Sequence, residues 1–214
     1  MMSILRRGLL VMLACVPLLA NAAAQSAHDV VDGTTKALLA DLAANHEQYK
    51  TNPEKFYDAL NNIIGPVVDA EGISKSIMTV KYSNGATPVQ VKTFEDNFKR
   101  SLMQFYGNAL LEYNNQGITV APTKDESGDR TTVDMSVKGN GGAVYPVQYT
   151  MVKLNGEWKV RNVIVNGINI GKLFRDQFTD AMQRNNGNLD KTINGWAGEV
   201  AQAKQKADSG QAGK

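Results

Sequence analysis

The chain has 214 residues, of which 43% are hydrophobic and 21% are charged, the balance of an ordinary globular domain. This length suits one domain, and the composition excludes a mostly disordered chain, a collagen-like fibre and a disulfide-stapled miniprotein. The charge is nearly balanced, with 23 basic and 21 acidic residues.

The first segment has the pattern of a secretory signal peptide. Arg6 and Arg7 form a basic start, residues 9–19 are apolar, and Ala20-Asn21-Ala22 is a small-x-small cleavage pattern. The apolar run is too short to span a bilayer. We therefore expect a signal peptide over residues 1–22, with cleavage between residues 22 and 24.

Cleavage would change both the charge and the cysteine count. Removal of two arginines and of Cys15 leaves 21 basic and 21 acidic residues and no cysteine. Equal charges provide no basic footprint for nucleic acid, and a cysteine-free chain suits an oxidising compartment. The alternative, a lipidated Cys15, is disfavoured because Met12-Leu13-Ala14-Cys15 matches that signal poorly. The sequence thus predicts a periplasmic or secreted protein.

The N-terminal part of the mature chain has helical periodicity. Apolar residues near a 3.6-residue spacing predict a first helix over residues 28–45. Asn52-Pro53 combines a capping residue with a first-turn proline, and the helix that it starts should end at Gly65-Pro66. Residues 67–80 predict one or two short helices, interrupted by Gly72.

The strongest periodic pattern follows Thr87-Pro88, which is again a capping residue and a proline. Apolar residues recur there at intervals of three and four: Phe94, Phe98, Leu102, Phe105, Ala109 and Tyr113. Charged and polar residues between Lys92 and Gln104 occupy the opposite side of this helix. The pattern predicts a helix over about 88–114.

After Gly117 the apolar period changes to two, which is typical of strands. The predicted strands are 118–120, 133–137, 147–151 and 158–165. Short turns join them, including Gly139-Asn140-Gly141-Gly142 and the hairpin turn Asn155-Gly156. We expect a four-stranded antiparallel sheet with one apolar face.

Two helices should follow the sheet, one after Gly171 and one over residues 189–200. The sequence therefore predicts an α+β fold with amphipathic helices packed on a sheet, in a single domain over residues 23–206. The helical parts cover about 28–80 and 188–203, and residues 207–214 form a polar, disordered tail.

Catalytic chemistry has little support in the sequence. His28 and His46 lie among polar residues near helix ends, so neither a zinc site nor a nucleophilic triad can be assembled. Residues 167–173 are one residue too short for a phosphate loop and lack its Ser or Thr. Asp134 is the one strand acid in a plausible place, but it alternates away from the apolar face. We expect no enzyme, no metal and no cofactor.

The helices carry more apolar surface than one sheet face can cover. An ordinary solid core would explain this surplus, and so would a cavity for an apolar ligand between the sheet and the helices. Both arrangements use the same residue types, so the composition leaves the two alternatives open.

Three segments resemble a known family. Thr87-Pro88 with FEDNFKRSLMQFYGNALLEY resembles that family's central helix, and NPEKFYDALNNIIGPVVDAEGISKSIM resembles the helical region before it. NGEWKVRNVIVNGINIGKLFRDQF resembles a second signature, in which a Gly-x-Trp-Lys-Val strand is followed by a Val-x-Gly turn and an Arg-x-x-Phe helix. Over about 30–205 the chain resembles the toluene-tolerance/MlaC family of periplasmic phospholipid-binding proteins, auxiliary components of an ABC transporter.

The resemblance implies a fold and a function. The part over 87–185 would be related to nuclear-transport-factor-2-like domains, and additional helices at both ends would enclose an apolar cavity for acyl chains. The bound phospholipid would be cargo. A monomer would carry it between an outer-membrane lipoprotein complex and the MCE-type component of an inner-membrane ABC transporter, which maintains outer-membrane asymmetry and solvent tolerance. A non-carrier interaction module with a solid core remains the alternative.

The predicted lipid-binding residues are the apolar positions of the sheet face and of the helices around it. They are Ile63, Ile64, Val67, Ile73, Ile77, Phe94, Phe98, Leu102, Phe105, Val133, Met135, Val137, Val147, Tyr149, Met151, Val163, Val165 and Phe174. The strand residues should share one face, and residues 94–105 of the long helix should face them.

The head group has to stay in water, so the mouth of the cavity should carry basic residues. Lys159, Arg161 and Arg175 are the predicted rim for the lipid phosphate or for an acidic partner surface. Arg175 matches the Arg-x-x-Phe motif, although a structural ion pair would explain that motif equally well.

Overall fold

The computed structural model describes residues 25–113, 116–123 and 125–208. In these ranges the chain forms seven α-helices and one five-stranded sheet. The predicted signal peptide and residues 209–214 of the predicted tail lie outside the described residues. The helices are α1 (Ala27–Thr51), α2 (Pro53–Ile64), α3 (Ala70–Ser83), α4 (Pro88–Leu111), α5 (Ile170–Arg184), α6 (Leu189–Asn194) and α7 (Trp196–Asp208).

Side-chain caps fix the starts of the first helices. Ser26 Oγ accepts a hydrogen bond from the Asp29 N–H at 3.0 Å and begins α1. Asn52 caps α2 ahead of Pro53, as its position in the sequence predicts. Thr87 and Gln90 form a reciprocal capping box at the start of α4. Local chemistry therefore sets these boundaries.

Three helical predictions need correction. Helix α1 continues past residue 45 to Thr51. In α3 the interruption falls at Thr79, whose φ is 63°, whereas Gly72 lies inside the helix. The helix predicted over 189–200 is divided at Gly195 into α6 and α7, and α7 extends to Asp208, two residues into the predicted tail.

The strands follow one another across an antiparallel sheet in the order β1-β2-β3-β4-β5. They are β1 (Ile118–Val120), β2 (Arg130–Lys138), β3 (Val144–Leu154), β4 (Glu157–Val165) and β5 (Ile168–Asn169). The four predicted strands are confirmed. The fifth has two residues and follows the tight turn Asn166-Gly167, where both φ angles are positive. A strand of two residues is too short to show a period of two, so the sequence pattern did not predict it.

The strand register confirms the predicted shared face. Directly opposite residues of antiparallel strands lie on one face, and Val133 pairs with Tyr149 while Met135 pairs with Val147. Across the next pair of strands, Tyr149 lies opposite Val163. The N-terminal part of α1 packs on this face with Ala27, Val30 and Val31.

A second core lies among the helices. Trp196 is fully buried, and its ring centroid lies 5.0–6.3 Å from those of Phe94, Phe98, Phe174 and Phe178. The expectation that Phe94 and Phe98 face the sheet is therefore wrong. Helices α5, α6 and α7 cover this stripe of α4 instead, and the aromatic contacts stabilise that arrangement.

A third cluster joins the C-terminal half of α1 to α2 and α4. Tyr49 and Phe56 stack there with ring centroids 5.1 Å apart. Burial, together with the hydrogen bond that Tyr49 donates to Asp41, raises the pKa of Tyr49 to about 12.

No helix in the described part of the chain has the length and apolar composition needed to cross a membrane.

Candidate ligand cavity

An apolar cavity of about 380 Å³ lies between α2, α3 and α4. Ligand pockets of proteins are typically roughly 300–1,000 Å³ in volume. The wall is formed by Tyr57, Leu60, Asn61, Ile64, Gly65, Val68, Ala70, Ile73, Ser74, Glu95, Phe98, Lys99, Leu102, Met103, Gly107 and Leu110. This cavity is partly open to solvent, and aliphatic side chains dominate the surface that a ligand would contact.

The α2–α3 link, residues 65–69, forms one side of the cavity and is held on the sheet. Its Val68 makes an isolated parallel bridge with Val160 of β4. The Asp69 N–H donates to the Val160 carbonyl oxygen at 3.0 Å. Residues Gly65–Val67 of the link form a short 3-10 helix, and Val68 and Asp69 then attach the link to β4.

The polar side chains of the wall are those of Tyr57, Asn61, Ser74, Glu95 and Lys99. Lys99 Nζ lies 2.6 Å from Glu95 Oε1, so these two charges compensate each other. Ser74 is 1% exposed, and its hydroxyl has no hydrogen-bond partner within the described part of the chain. The polar part of the wall thus comprises one internal ion pair and the Tyr57 and Asn61 side chains, while the Ser74 oxygen is buried beneath the surface.

Four of the predicted lipid-binding residues line this cavity, namely Ile64, Ile73, Phe98 and Leu102. Others lie in the two main cores. Ile77, Phe94 and Phe174 belong to the helical cluster. The cluster between the sheet and α1 contains Val67, Val133, Tyr149, Met151 and Val163.

The phenol of Tyr149 in this cluster is neutral, because burial raises its pKa.

The remaining predicted residues lie outside the lining of this cavity. Met135 and Val147 are buried on the sheet face, Val137 and Val165 are half-buried on the same face, and Ile63 is half-buried on α2. The side chain of Phe105 lies outside the described ones. The cavity was expected between the sheet and the helices, but the lining seen here comes from α2, α3, α4 and the α2–α3 link.

Several lining residues were not predicted, because charged positions of an amphipathic helix such as α4 are expected to face solvent. Glu95 and Lys99 directly follow Phe94 and Phe98, so they flank the apolar stripe, and a lysine stem can cover apolar surface. Ser74 gave no signal, because serine on a helix is usually solvent-facing. Leu60 and Val68 lie in apolar segments that were recognised without being assigned to the ligand.

Two of the predicted rim residues contact the α2–α3 link, and the third contacts α3. Lys159 Nζ donates to the Pro66 carbonyl oxygen at 2.7 Å. Arg161 forms an ion pair with Asp69. Arg175 is exposed, and its Nε donates to the Ser76 carbonyl oxygen at 3.1 Å. These side chains tie β4 and α5 to the α2–α3 link and α3; contact with a head group or a partner stays a prediction.

The Arg161–Asp69 pair is built into the start of α3. Asp69 Oδ1 accepts from the Gly72 N–H at 3.0 Å, so Asp69 is both the helix cap and the partner of Arg161. A Cβ atom on Gly72 would lie 2.7 Å from Arg161 Cζ and would also collide with the Asp69 carboxylate. Glycine at this position therefore leaves room for the pair, and a Cβ would force one of the two side chains to move.

Asp134, the acid considered for an enzyme, is exposed on the other face of the sheet. Its Oδ1 accepts from Gln148 Nε2 at 2.7 Å. Among the described residues no group of three or more His, Cys, Asp and Glu side chains could hold a metal ion. The lining of the cavity is mainly apolar, so apolar contact is its main chemistry.

An antiparallel sheet, surrounding helices and an apolar cavity define an α+β protein built around space for an apolar molecule. The model of the MlaC protein family matches residues 32–198, and the chain belongs to this family. The family resemblance drawn from three sequence segments is therefore confirmed.

Similar proteins cover most of the chain. It is 74% identical over 209 residues to the toluene tolerance protein ttg2D of Pseudomonas putida, covering 98% of this chain and 97% of that protein. It is 28% identical over 138 residues to the intermembrane phospholipid transport system binding protein MlaC of Haemophilus influenzae, covering 62% and 64%. The phospholipid-binding protein of Ralstonia solanacearum, solved with a phospholipid, has a TM-score of 0.75 at 23% identity, covering 84% and 99%, and shares the fold.

Proposed function

We propose that this protein is a periplasmic phospholipid carrier. The observation that carries the proposal is the apolar cavity between α2, α3 and α4 in a chain of the MlaC family. A relative named for phospholipid transport and a similarly folded protein solved with a phospholipid support it. The cavity also argues against the alternative, an interaction module with a solid core.

The physics of lipid transfer explains why a carrier needs such a cavity. Each buried CH₂ gains about 0.8 kcal/mol relative to water. Two acyl chains of about 16 carbons would then cost on the order of 20 kcal/mol or more to expose, which makes unaided crossing of an aqueous compartment slow. A wall about as apolar as a bilayer makes transfer nearly isoenergetic, and no catalytic residue is required.

Direction must then come from outside the carrier. We propose that an outer-membrane lipoprotein complex and the MCE-type component of an inner-membrane ABC transporter are the two partners, and that ATP hydrolysis drives the exchange. Such traffic would maintain the lipid asymmetry of the outer membrane and solvent tolerance. The name of the Pseudomonas putida relative supports a link to toluene tolerance.

The first prediction is that the folded protein, purified from bacteria without detergent, contains phospholipid. An organic extract analysed by thin-layer chromatography should show phospholipid in stoichiometric amount, and native mass spectrometry should show the loaded mass. An unrelated secreted protein purified in the same way serves as control. Folded protein without phospholipid in either measurement would contradict the carrier function.

A further inference from the structure

One glycine inside α4 is explained by its neighbour and not by its backbone. Gly107 lies in the body of the helix, in a backbone conformation that any residue adopts, and alanine is more favourable than glycine there. A Cβ atom on Gly107 would lie 2.8 Å from both Cε and Sδ of Met103. The tip of the Met103 side chain therefore occupies the space that a side chain at position 107 would fill.

Both residues belong to the wall of the cavity between α2, α3 and α4. Met103 also packs on the third cluster, as do Leu60 and Leu110, and these two residues line the cavity as well. The third cluster therefore bounds the cavity on this side. The Met103 side chain, folded back on Gly107, is part of that boundary.

The lining changes in polarity along α4. Glu95 and Lys99 supply its charges. Arg100 Cζ lies 4.7 Å from the ring centroid of Tyr57, which places this polar lining residue at the same end of the cavity. Among the described side chains, the lining positions farther along α4 are apolar, namely Leu102, Met103, Gly107 and Leu110. A lipid would thus lie with its polar part near Lys99 and its acyl chain directed toward Gly107.

The length of this path matches an acyl chain. Gly107 follows Lys99 by eight positions, which corresponds to about 12 Å along the helix axis. An acyl chain in a bilayer spans half of a hydrocarbon core of about 30 Å, or about 15 Å. A chain that begins near Lys99 therefore reaches the level of Gly107 with its last carbons, where it meets the Met103 side chain.

We propose that Met103, lying on Gly107, limits the length of the acyl chain that the cavity accepts. This inference rests on the proposed carrier function. It makes Met103 a specificity-determining residue for chain length, and Gly107 gives that side chain its room. A methyl group at position 107 would push the flexible methionine side chain into the cavity, whereas removal of the Met103 side chain would lengthen the cavity.

The test compares two phosphatidylglycerols that differ only in chain length. Vesicles contain equal amounts of lipids with monounsaturated chains of fourteen or of eighteen carbons, and the protein is incubated with them to equilibrium, separated and extracted. Mass spectrometry gives the ratio of long to short bound lipid. For Gly107→Ala we expect this ratio to fall about fourfold relative to the native protein, the factor that corresponds to one buried methylene. For Met103→Ala it should rise by at least about the same factor.

Two further variants test whether the effect passes through Met103. Gly33→Ala is the matched control, because Gly33 is a helical glycine on the exposed surface of α1 with nothing within 4 Å of its Cβ position. It should leave the ratio at the native value. The double variant Met103→Ala with Gly107→Ala lacks the side chain that the new methyl group displaces, so its ratio should be close to that of Met103→Ala alone.

The outcomes distinguish this inference from the carrier function. An unchanged ratio in folded Gly107→Ala or in Met103→Ala, or a double variant that behaves like Gly107→Ala, would overturn the role of Met103, while the total bound lipid would still support a carrier. If Gly107→Ala lacks a cooperative thermal transition, the ratio of Met103→Ala decides alone. Absence of both lipids from the native protein would overturn both proposals. Opposite shifts in the two single variants, with no shift in Gly33→Ala, would establish that Met103 limits the chain length.

Discussion

Replacing Leu102 with aspartate should empty the cavity and leave the protein folded. Leu102 lines the cavity and is half-buried, so water entering the vacant space can hydrate the new carboxylate. An acyl chain would have to displace that water, and an ionised group against hydrocarbon is strongly unfavourable. We expect extracted phospholipid to fall to less than about a tenth of the native amount, with a cooperative thermal transition retained.

Two further variants test whether the loss of lipid depends on the charge and on its position in the cavity wall. Leu102→Asn has nearly the shape of aspartate without its charge, and it should retain more lipid. Met151→Asp places the same carboxylate at a fully buried position in the cluster between the sheet and α1, and it should unfold the protein. Native lipid content in folded Leu102→Asp would show that acyl chains bind elsewhere.

Much of the fold could be predicted because local rules determine it. Capping residues with prolines set the starts of α2 and α4, and Asn155-Gly156 sets the hairpin between β3 and β4. A period of two placed the apolar residues of three strands on one face. These signals are confined to a few neighbouring residues, so one sequence is enough to recognise them.

It was harder to predict which element packs on each apolar face. The stripe of α4 shows that Phe94 and Phe98 are buried, but periodicity does not say which element covers them. Both the sheet and the C-terminal helices offer apolar surface, and the helices around Trp196 cover this stripe. The lipid-binding residues assigned to the sheet depended on that choice.

Polar residues in the cavity wall were missed for a related reason. A charged or hydroxyl side chain is assigned to solvent unless its partner is known, and the partners are visible only in three dimensions. The ion pair between Glu95 and Lys99 makes it possible for both charges to lie in the cavity wall.

The pair that attaches the α2–α3 link to β4 could not be predicted either. Its members, Arg161 and Asp69, are separated by 92 residues along the chain. No local pattern could have joined them.

Replacing Arg161 with methionine should destabilise the folded protein. The substitution keeps much of the aliphatic stem and removes the charge, which leaves Asp69 without its partner at 9% side-chain exposure. Breaking a fully buried pair costs about 3–5 kcal/mol. Arg161 is 30% exposed, so solvent screening reduces the expected loss in the free energy of unfolding to about 2 kcal/mol.

Urea denaturation of the lipid-loaded protein measures this loss, and the matched control is Lys172→Met. Lys172 pairs with Asp176 at the surface, with side-chain exposures of 68% and 56%, so its removal should cost no more than about 1 kcal/mol. Adding Asp69→Asn to Arg161→Met should recover part of the stability, because asparagine still caps α3 and needs no counter-charge. Lipid should also leave Arg161→Met faster than it leaves Lys172→Met, since the α2–α3 link has lost one of its contacts with β4. Equal stability and equal lipid retention in the two single variants would show that the pair does not hold the link in place.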